Sequence, residues 1–190
     1  LLAVTRIEAA RAGATIIGED LGSIPAGLQT ALQKSGVLGC RVMQFEQDKT
    51  GFKPVSAYPR RTLASFGTHD LPTFKGWSKG ADIAVRRDVS SLDDKTAKKT
   101  TARRMKDVSE FAKMAGGASQ SDMHAALAAT GSALVAVQIE DVLDVVDQTN
   151  LPGTIDEYPN WRRTLPIDVR DIAKDERLSQ VADIMTKAER

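Results

Sequence analysis

Apolar residues along this chain alternate between helical spacing and short continuous runs. Helical spacing covers residues 1–12 and ends at Gly13, and the run at residues 14–18 then predicts a short buried strand. Further continuous runs predict three more strands, at residues 40–45, 63–67 and 134–139. The pattern therefore predicts a chain in which helices and buried strands alternate.

Helical segments separate the predicted strands. Ser23 is placed to cap a helix that follows the first strand. The long stretch between the third and fourth strands has helical spacing at residues 97–114 and 121–129, and we interpret residues 82–130 as a helical insertion. A last helix is predicted at about residues 168–187.

Strands that alternate with helices predict an α/β fold with a parallel sheet and right-handed crossovers. Four such units are half of an eight-stranded barrel, and a doubly wound open sheet is the competing architecture. The sequence contains neither a Gly-x-Gly-x-x-Gly fingerprint nor a Walker-type phosphate loop, the usual marks of a nucleotide-binding open sheet. The absence of both motifs favours the barrel over the open sheet.

Three of the predicted strands end in polar or acidic pairs, which are Glu19-Asp20, His69-Asp70 and Glu140-Asp141. Parallel barrels present catalytic side chains in this way, because the strand is buried and only its carboxyl end meets solvent. Simpler interpretations stay open for the first two pairs. Glu19-Asp20 are then negative charges ahead of a helix, and His69-Asp70 are part of a polar turn. The two histidines of the chain are too isolated to predict a zinc site.

Composition narrows the classes of function. The 190 residues are 42% hydrophobic and 27% charged, which is ordinary for a soluble globular protein, and the net charge is +1. Nothing in this balance predicts binding to nucleic acid or to an anionic membrane. Residues 86–106 have an excess of five positive charges but no aromatic residue, so they predict a solvated helix face. The single cysteine, Cys40, lies in an apolar run and predicts a buried thiol in a cytoplasmic, reducing compartment.

The segment at residues 150–163 combines turn-forming residues with Tyr158 and Trp161. One interpretation is an ordered loop that one aromatic side chain anchors. The other is a loop whose polar groups and rings face a sugar, since sugar hydroxyls need hydrogen-bond partners and sugar faces pack on rings.

Four segments resemble, in the correct order, successive motifs of the 4-alpha-glucanotransferases, the amylomaltase or disproportionating-enzyme family (glycoside hydrolase family 77). These segments are Gly18-Glu-Asp-Leu-Gly22, Arg41-Val-Met-Gln-Phe45, Gly67-Thr-His-Asp-Leu-Pro-Thr73, and Asn150-Leu-Pro-Gly-Thr154 with Asn160-Trp-Arg-Arg163. The third resembles the bacterial maltodextrin-utilisation branch in particular. The resemblance implies retaining transfer of α-1,4-glucan segments between maltooligosaccharides on a (β/α)8 TIM barrel of the α-amylase superfamily. Residues 1–190 would form the C-terminal half of that barrel, about strands five to eight.

The resemblance also implies roles for individual residues. Glu19 corresponds to the acid/base, Asp70 to the aspartate that stabilises the transition state, and His69 to a contact with the same glucose unit. The substrate cleft would further include Asn150, Pro152 and Trp161. The reaction it implies needs no metal and no cofactor.

The nucleophile that the resemblance implies belongs to an Arg-x-Asp motif at the exit of a strand preceding residue 1. Leu1 lies within a predicted helix and has no capping residue ahead of it, so we expect a longer protein. We expect the isolated chain to be inactive and to need the N-terminal part of the same enzyme. Asp20 is a poor substitute for the nucleophile, because adjacent residues of an extended chain point in opposite directions.

Three alternatives stay open at this point. An α-glucan hydrolase would use the same carboxylates and admit water in place of a sugar acceptor. An inactive glucan-binding fragment would keep the cleft without the chemistry. A nucleic-acid module that uses residues 86–106 is the weakest alternative, because that segment has no aromatic residue on which bases stack.

Overall fold

The structure is a computed structural model that describes residues 1–89 and 91–190. Over these residues the α-helices are α1 (Leu2–Ala12), α2 (Leu28–Lys34), α3 (Phe74–Lys79), α4 (Ala81–Asp88), α5 (Asp94–Ala115), α6 (Gln120–Ala128), α7 (Ile139–Val142), α8 (Val169–Ile172) and α9 (Glu176–Lys187). The strands over the same residues are β1 (Gly39–Val42), β2 (Gln47–Asp48), β3 (Gly51–Phe52), β4 (Thr62–Ser65) and β5 (Leu134–Val135). Of the helices described, none combines the length and apolarity that crossing a membrane requires.

Strands β1, β4 and β5 form a parallel sheet whose spatial order follows the chain order. Cys40 pairs with Leu63, and Leu63 pairs with Leu134. On the other side of β1, the Gly18 amide donates to the Leu38 carbonyl at 2.8 Å, in a single parallel bridge formed by Ile17 and Leu38. Strands β2 and β3 form a separate antiparallel hairpin. The alternation of helices and parallel strands that the sequence predicts is therefore confirmed.

The core lies between β4 and the helices α3, α5 and α6. Phe66, Phe74, Trp77 and Phe111, which we call the aromatic cluster, are each at most 3% exposed. Their rings meet mostly edge to face, with centroids 5.1 Å apart for Phe66 and Phe74 and 6.0 Å apart for Phe66 and Phe111. Aromatic pairs prefer this geometry, because the positive ring edge meets the negative ring face.

An ion pair joins α4 to α5. Arg104 donates two hydrogen bonds to the Asp82 carboxylate, at 2.7 and 3.0 Å, and a third to the Trp77 carbonyl at 2.9 Å. Its guanidinium also lies over the Trp77 ring, 5.5 Å from the centroid. Helix α5 ends at Gly116, where φ is +82°, a left-handed conformation that glycine adopts without a steric cost.

Two predicted strands are shorter than the sequence pattern indicates. Residues 14–18 make only the single bridge at Ile17 among the described residues, because this segment lies at the edge of the sheet. Of residues 40–45, only those up to Val42 are strand, and Met43–Phe45 form a 3-10 turn. Residues 14–18 are also exposed or half-buried, with Ile17 40% exposed, so the prediction of a buried strand there is wrong. A continuous apolar run thus fixes neither burial nor the length over which the backbone pairs.

The strand predicted at residues 134–139 is also short, since β5 ends at Val135. The backbone stays hydrogen-bonded to β4 for one more residue, since the Ala136 amide donates to the Ala64 carbonyl at 2.8 Å. It then turns into α7, so that Glu140-Asp141 lie within a helical turn and not on an extended strand exit.

Two predicted helix boundaries are wrong. The helix expected to begin at Ser23 begins at Leu28, because Gly27 has a φ of +83° and interrupts the helical backbone. The helix predicted at residues 168–187 is divided into α8 and α9. Asp175 causes the division, since its carboxylate accepts a hydrogen bond from the Arg177 amide at 2.9 Å and caps a new helix.

Candidate active site

The carboxyl ends of the parallel strands meet at one edge of the sheet, where a cleft opens. The cleft has a volume of about 310 Å³, which is at the lower end of the range for small-molecule sites. Glu19, Ser65, His69 and Gln138 are among the side chains that line it. The structure therefore brings a candidate residue from the first strand exit and one from the third to the same cleft.

Glu19 and Asp20 point to different surroundings. Glu19 is exposed on the cleft. Asp20 is buried, and its carboxylate accepts hydrogen bonds from the Cys40 amide at 2.7 Å and from the Gln29 side chain at 3.0 Å. Arg41 lies 3.6 Å from the same carboxylate. Asp20 thus fixes the end of the first segment to β1, while Glu19 faces the solvent.

Asp70 lies at the meeting point of two distant segments. The Asn150 amide donates to Asp70 Oδ1 at 2.6 Å, across 80 residues of sequence. His69 Nε2 lies 3.5 Å from the same oxygen, and the His69 and Trp161 rings have their centroids 5.3 Å apart. Four of the six residues that the resemblance singled out are therefore joined by a series of contacts, from Asn150 through Asp70 and His69 to Trp161.

The loop that carries Asn150 and Trp161 is held by internal hydrogen bonds. Asn160 accepts from the Leu151 amide at 2.8 Å and donates to the Thr154 hydroxyl at 2.9 Å. A turn closed by the Thr154 amide and the Leu151 carbonyl, 3.2 Å apart, contains Pro152, which is exposed. This turn chemistry supports an ordered loop, and it places Asn150 and Trp161 at the two ends of the loop.

Two glutamines that the sequence reasoning missed organise the strand exits. Gln138 Oε1 accepts from the Gly67 amide at 3.1 Å, and the Gln44 amide donates to the Pro72 carbonyl at 3.1 Å. Each glutamine is the one polar residue inside an apolar run, at residues 42–45 and 134–139. A single amide side chain near the end of a predicted buried strand is the signal that would have found them.

Larger hollows also open on the surface of the described residues, four of them with volumes of about 380 to 600 Å³. In one of the two largest, Asp147 pairs with Arg163 at 3.0 Å. In the other, which adjoins the cleft at Cys40, Glu46 pairs with Lys53 at 2.8 Å. We assign the candidate site to the smaller cleft, because Glu19 and His69, which the resemblance singled out, line it.

Cys40 is only half-buried and lines the cleft, so the prediction of a buried thiol is confirmed only in part. Burial raises the pKa of the Cys40 thiol, and the nearby Asp20 carboxylate raises this pKa further. A thiol whose pKa is raised is largely protonated at neutral pH and is a weak nucleophile. The expectation of an inert thiol at this position is consistent with these surroundings.

The fold and the cleft define an α/β protein with polar residues at the carboxyl edge of a parallel sheet. The family profile described as 4-alpha-glucanotransferase matches residues 1–168. The chain therefore belongs to the 4-alpha-glucanotransferase family, as its motifs indicate.

Individual relatives agree with this assignment. The chain is 31% identical over 211 residues to the 4-alpha-glucanotransferase of Mycobacterium bovis, a match that covers 99% of the chain and 29% of the relative. It is 30% identical over 184 residues to the 4-alpha-glucanotransferase of Haemophilus influenzae, covering 87% of the chain and 26% of the relative. The chain thus spans less than a third of the length of these curated relatives.

Solved structures give the same result for the fold. The crystal structure of amylomaltase from Corynebacterium glutamicum superposes with a TM-score of 0.87 at 27% identity, covering 96% of this chain and 30% of that one. Amylomaltase from Streptococcus agalactiae in complex with acarbose superposes with a TM-score of 0.61 at 21% identity, covering 96% and 33%. The α/β fold of this chain is therefore similar to that of the corresponding part of an amylomaltase.

Proposed function

We propose that this chain supplies the acid/base and the transition-state-stabilising carboxylate of a 4-alpha-glucanotransferase. The reaction is the transfer of α-1,4-glucan segments between maltooligosaccharides with retention at the anomeric carbon. The observation that carries the proposal is the contact between Asn150 and Asp70, next to His69 on a cleft that Glu19 lines. Family membership supports it independently.

Retention requires two carboxyl groups on opposite sides of the scissile bond, roughly 5 Å apart, one as nucleophile and one as acid and then base. In the proposal, Glu19 protonates the glycosidic oxygen while an aspartate from outside residues 1–190 attacks the anomeric carbon. The C–O bond to the leaving sugar breaks and a glucosyl ester forms. The hydroxyl of an acceptor glucan then displaces the ester, and Glu19 removes its proton.

Asp70 acts on the same glucose unit. Asn150 occupies Asp70 Oδ1, so we assign Asp70 Oδ2 to the ring hydroxyls of the sugar. These hydrogen bonds strengthen as positive charge develops in the oxocarbenium-like transition state, which lowers the barrier. His69 binds a hydroxyl of the same sugar, and the exposed Trp161 ring beside it offers a flat face for the adjoining unit.

The proposal extends to the architecture. Parallel strands in chain order, with helices between them, are what the second half of a (β/α)8 barrel requires. The helices α4, α5 and α6 then form the insertion proposed at about residues 82–130. A single cysteine and a glucan substrate fit a cytoplasmic enzyme.

We propose that residues 1–190 alone are inactive. They contain no candidate for the nucleophile at the preceding strand exit, and Ile17 and Leu134, at the two edges of the sheet, are each 40% exposed. Such edges favour association between chains. Turnover of maltotriose by the purified 190-residue chain, free of other enzymes, would contradict this part of the proposal.

The test of the acid/base uses the full-length protein and two donors. In Glu19→Ala, transfer from maltotriose should fall by about 10⁴-fold, because the leaving sugar must be protonated. An α-glucosyl fluoride departs without protonation, so its glucosyl-enzyme should still form and accumulate, and mass spectrometry detects the adduct. Glu8→Ala, at an exposed glutamate of α1, is the matched control and should behave as the wild type. Equal large losses on both donors, with no adduct, would remove Glu19 from this role.

Product analysis separates transfer from hydrolysis. Maltotriose incubated with the full-length protein should yield longer maltooligosaccharides together with shorter ones. Glucose and maltose alone would identify a hydrolase that uses the same carboxylates, and binding of maltotriose without turnover would identify a glucan-binding protein.

A further inference from the structure

Asp141 is a buried carboxyl group that the proposed mechanism does not use. Its side chain is in α7, directly after β5, and the residue is 2% exposed. Asp141 Oδ1 accepts a hydrogen bond from the Phe74 amide at 2.6 Å. Phe74 is the first residue of α3, which begins directly after the loop that carries His69 and Asp70.

That loop, residues 68–73, is fixed at its far end by hydrogen bonds at three consecutive residues, Pro72, Thr73 and Phe74. The Pro72 carbonyl accepts from Gln44 at 3.1 Å, and the Thr73 hydroxyl donates to the Val145 carbonyl at 2.6 Å. The Phe74 amide, bound to Asp141, is the third. Two of the three therefore attach the loop to residues 141–145.

The same stretch of chain continues to Asn150, which binds Asp70 directly. Asp141 and Asn150 thus hold the loop from its end and from its centre. A change in the length of either contact would move Asp70 relative to the cleft. Displacements of about 1 Å in a reacting group are enough to cost about a hundredfold in rate.

We propose that Asp141 is a positioning residue for the transfer reaction, whose carboxyl group fixes the loop of His69 and Asp70 against the segment that carries Asn150. This inference rests on the proposed function. It assigns Asp141 no contact with the substrate, since the carboxyl is buried behind the loop.

The surroundings of Asp141 indicate which substitutions keep this contact. Glu140 and Asp144, from its own segment, are the charged groups that act on it, α3 contributes the Phe74 amide, and the Gln120 side chain of α6 donates to the Asp141 carbonyl. Burial, together with these two carboxylates, raises the pKa of Asp141 to about 7. A neutral carboxyl oxygen still accepts from an amide, so asparagine, which has the same shape, should keep the hydrogen bond. Leucine has the same size without an acceptor and leaves the buried Phe74 amide unpaired.

The experiment compares Asp141→Leu and Asp141→Asn in the full-length protein, with maltotriose as substrate. Asp141→Leu should lower kcat by about a hundredfold and change KM by less than about threefold. Asp141→Asn should retain at least about a third of the wild-type kcat. Asp183→Asn, at an exposed aspartate of α9, is the matched control and should leave both constants unchanged. Leucine and asparagine variants with equal kcat would overturn the inference.

A double-mutant cycle with Asp70→Asn separates positioning from a general effect on folding. If Asp141 acts through Asp70, adding Asp141→Leu to Asp70→Asn should lower kcat by less than about threefold further. A further loss of about a hundredfold would overturn the inference. Should Asp141→Leu not fold, Asp141→Ser replaces it, because the serine hydroxyl is too short to reach the Phe74 amide, and full activity of this variant would equally contradict positioning.

The two proposals fail in different ways. A wild-type full-length protein that does not convert maltotriose overturns the proposed function and, with it, the role of Asp141. If the wild type is active and the Asp141→Leu variant has the same kcat as the Asp183→Asn control, only the role of Asp141 is overturned.

Discussion

Aromatic side chains have opposite surroundings in two regions that meet at β4, the core and the strand exits. On the helical side, Phe111 is fully buried, and every ring of the aromatic cluster packs against another. At the strand exits, Trp161 is 63% exposed and its ring lies beside His69, with the two ring centroids 5.3 Å apart. The first arrangement stabilises the fold, and the second offers surface to a ligand.

Strand β4 is the boundary between these regions. Thr62 and Ala64 are buried towards the helices, and Phe66 continues the same face. Ser65 and Gly67, with the opposite parity, line the cleft. Successive residues of a strand point to opposite faces, so a single strand supplies both the core and the site. Changes at the strand exits should therefore affect rate, and changes in the aromatic cluster should affect stability.

The largest expected effect is on rate, at the strand exits. Asp70→Asn keeps the shape of the side chain and removes the charge that stabilises the oxocarbenium-like transition state. We expect kcat on maltotriose to fall by about a thousandfold, with a much smaller change in KM. Steady-state kinetics of the full-length protein measure both, and Asp183→Asn, at an exposed aspartate of α9, is the control. Equal losses in kcat and in affinity would show that Asp70 is only structural.

The next effect is on stability, in the aromatic cluster. Phe111→Ala removes a fully buried ring from contact with Phe52, Phe66 and Trp77, and should lower the free energy of unfolding by about 3–5 kcal/mol. The kcat of the folded molecules should stay within about threefold of the wild type. Denaturant unfolding measures the first quantity. Met105→Ala, on the exposed face of the same helix, should cost less than about 0.5 kcal/mol. A loss of rate without a loss of stability would contradict the division.

The sequence predicted these two regions unequally. The apolar spacing at residues 97–114 predicts most of the long helix α5, which spans Asp94–Ala115, because its apolar positions recur regularly. The parallel sheet was predicted as a class, but its strands were predicted too long. An apolar run indicates a strand but not where it ends. That end depends on side chains such as Gln138, whose Oε1 accepts a hydrogen bond from the Gly67 amide.

The motifs predict which residues belong to the candidate site, but they do not predict which of these residues contact one another. The resemblance singled out Asp70 and Asn150, yet no local pattern shows that residues 80 positions apart share a hydrogen bond. Asp20 and Asp141 were visible as acids after predicted strands. Only the structure shows that one binds the Cys40 amide and the other the Phe74 amide, because burial of a carboxylate depends on segments distant in sequence.

A third prediction concerns pH and the boundary between the regions. Burial raises the pKa of Asp141 to about 7 in the folded chain, well above the usual value for an aspartate. Between about pH 4 and pH 7 the folded state holds a proton that the unfolded state has released, so this residue's contribution to stability is fully present below pH 4 and is lost as the pH rises through 7. The loss should be roughly 2–4 kcal/mol.

Asp141→Asn removes this titration. The free energy of unfolding of the variant, relative to that of the wild type, should therefore increase from pH 4 to pH 8. Thermal or denaturant unfolding of both proteins at each pH gives the difference, in which carboxylates with lowered pKa values, such as Asp175, cancel. A difference that does not change with pH would show that Asp141 titrates normally.

The smallest expected effect tests whether the backbone conformation of one site residue lowers the free energy of unfolding. Trp161 has a φ of +59°, a left-handed conformation that costs a residue with a side chain about 1 kcal/mol relative to glycine. Its ring is mostly exposed, so little packing is lost when it is removed. Trp161→Gly should therefore be more stable than Trp161→Ala by about 1 kcal/mol, and both variants should bind maltotriose several-fold more weakly, because the ring beside His69 is gone. Unfolding and binding measurements on the two variants check both statements. Equal stability of glycine and alanine would show that the backbone relaxes at this position, and unchanged binding would remove Trp161 from the substrate cleft.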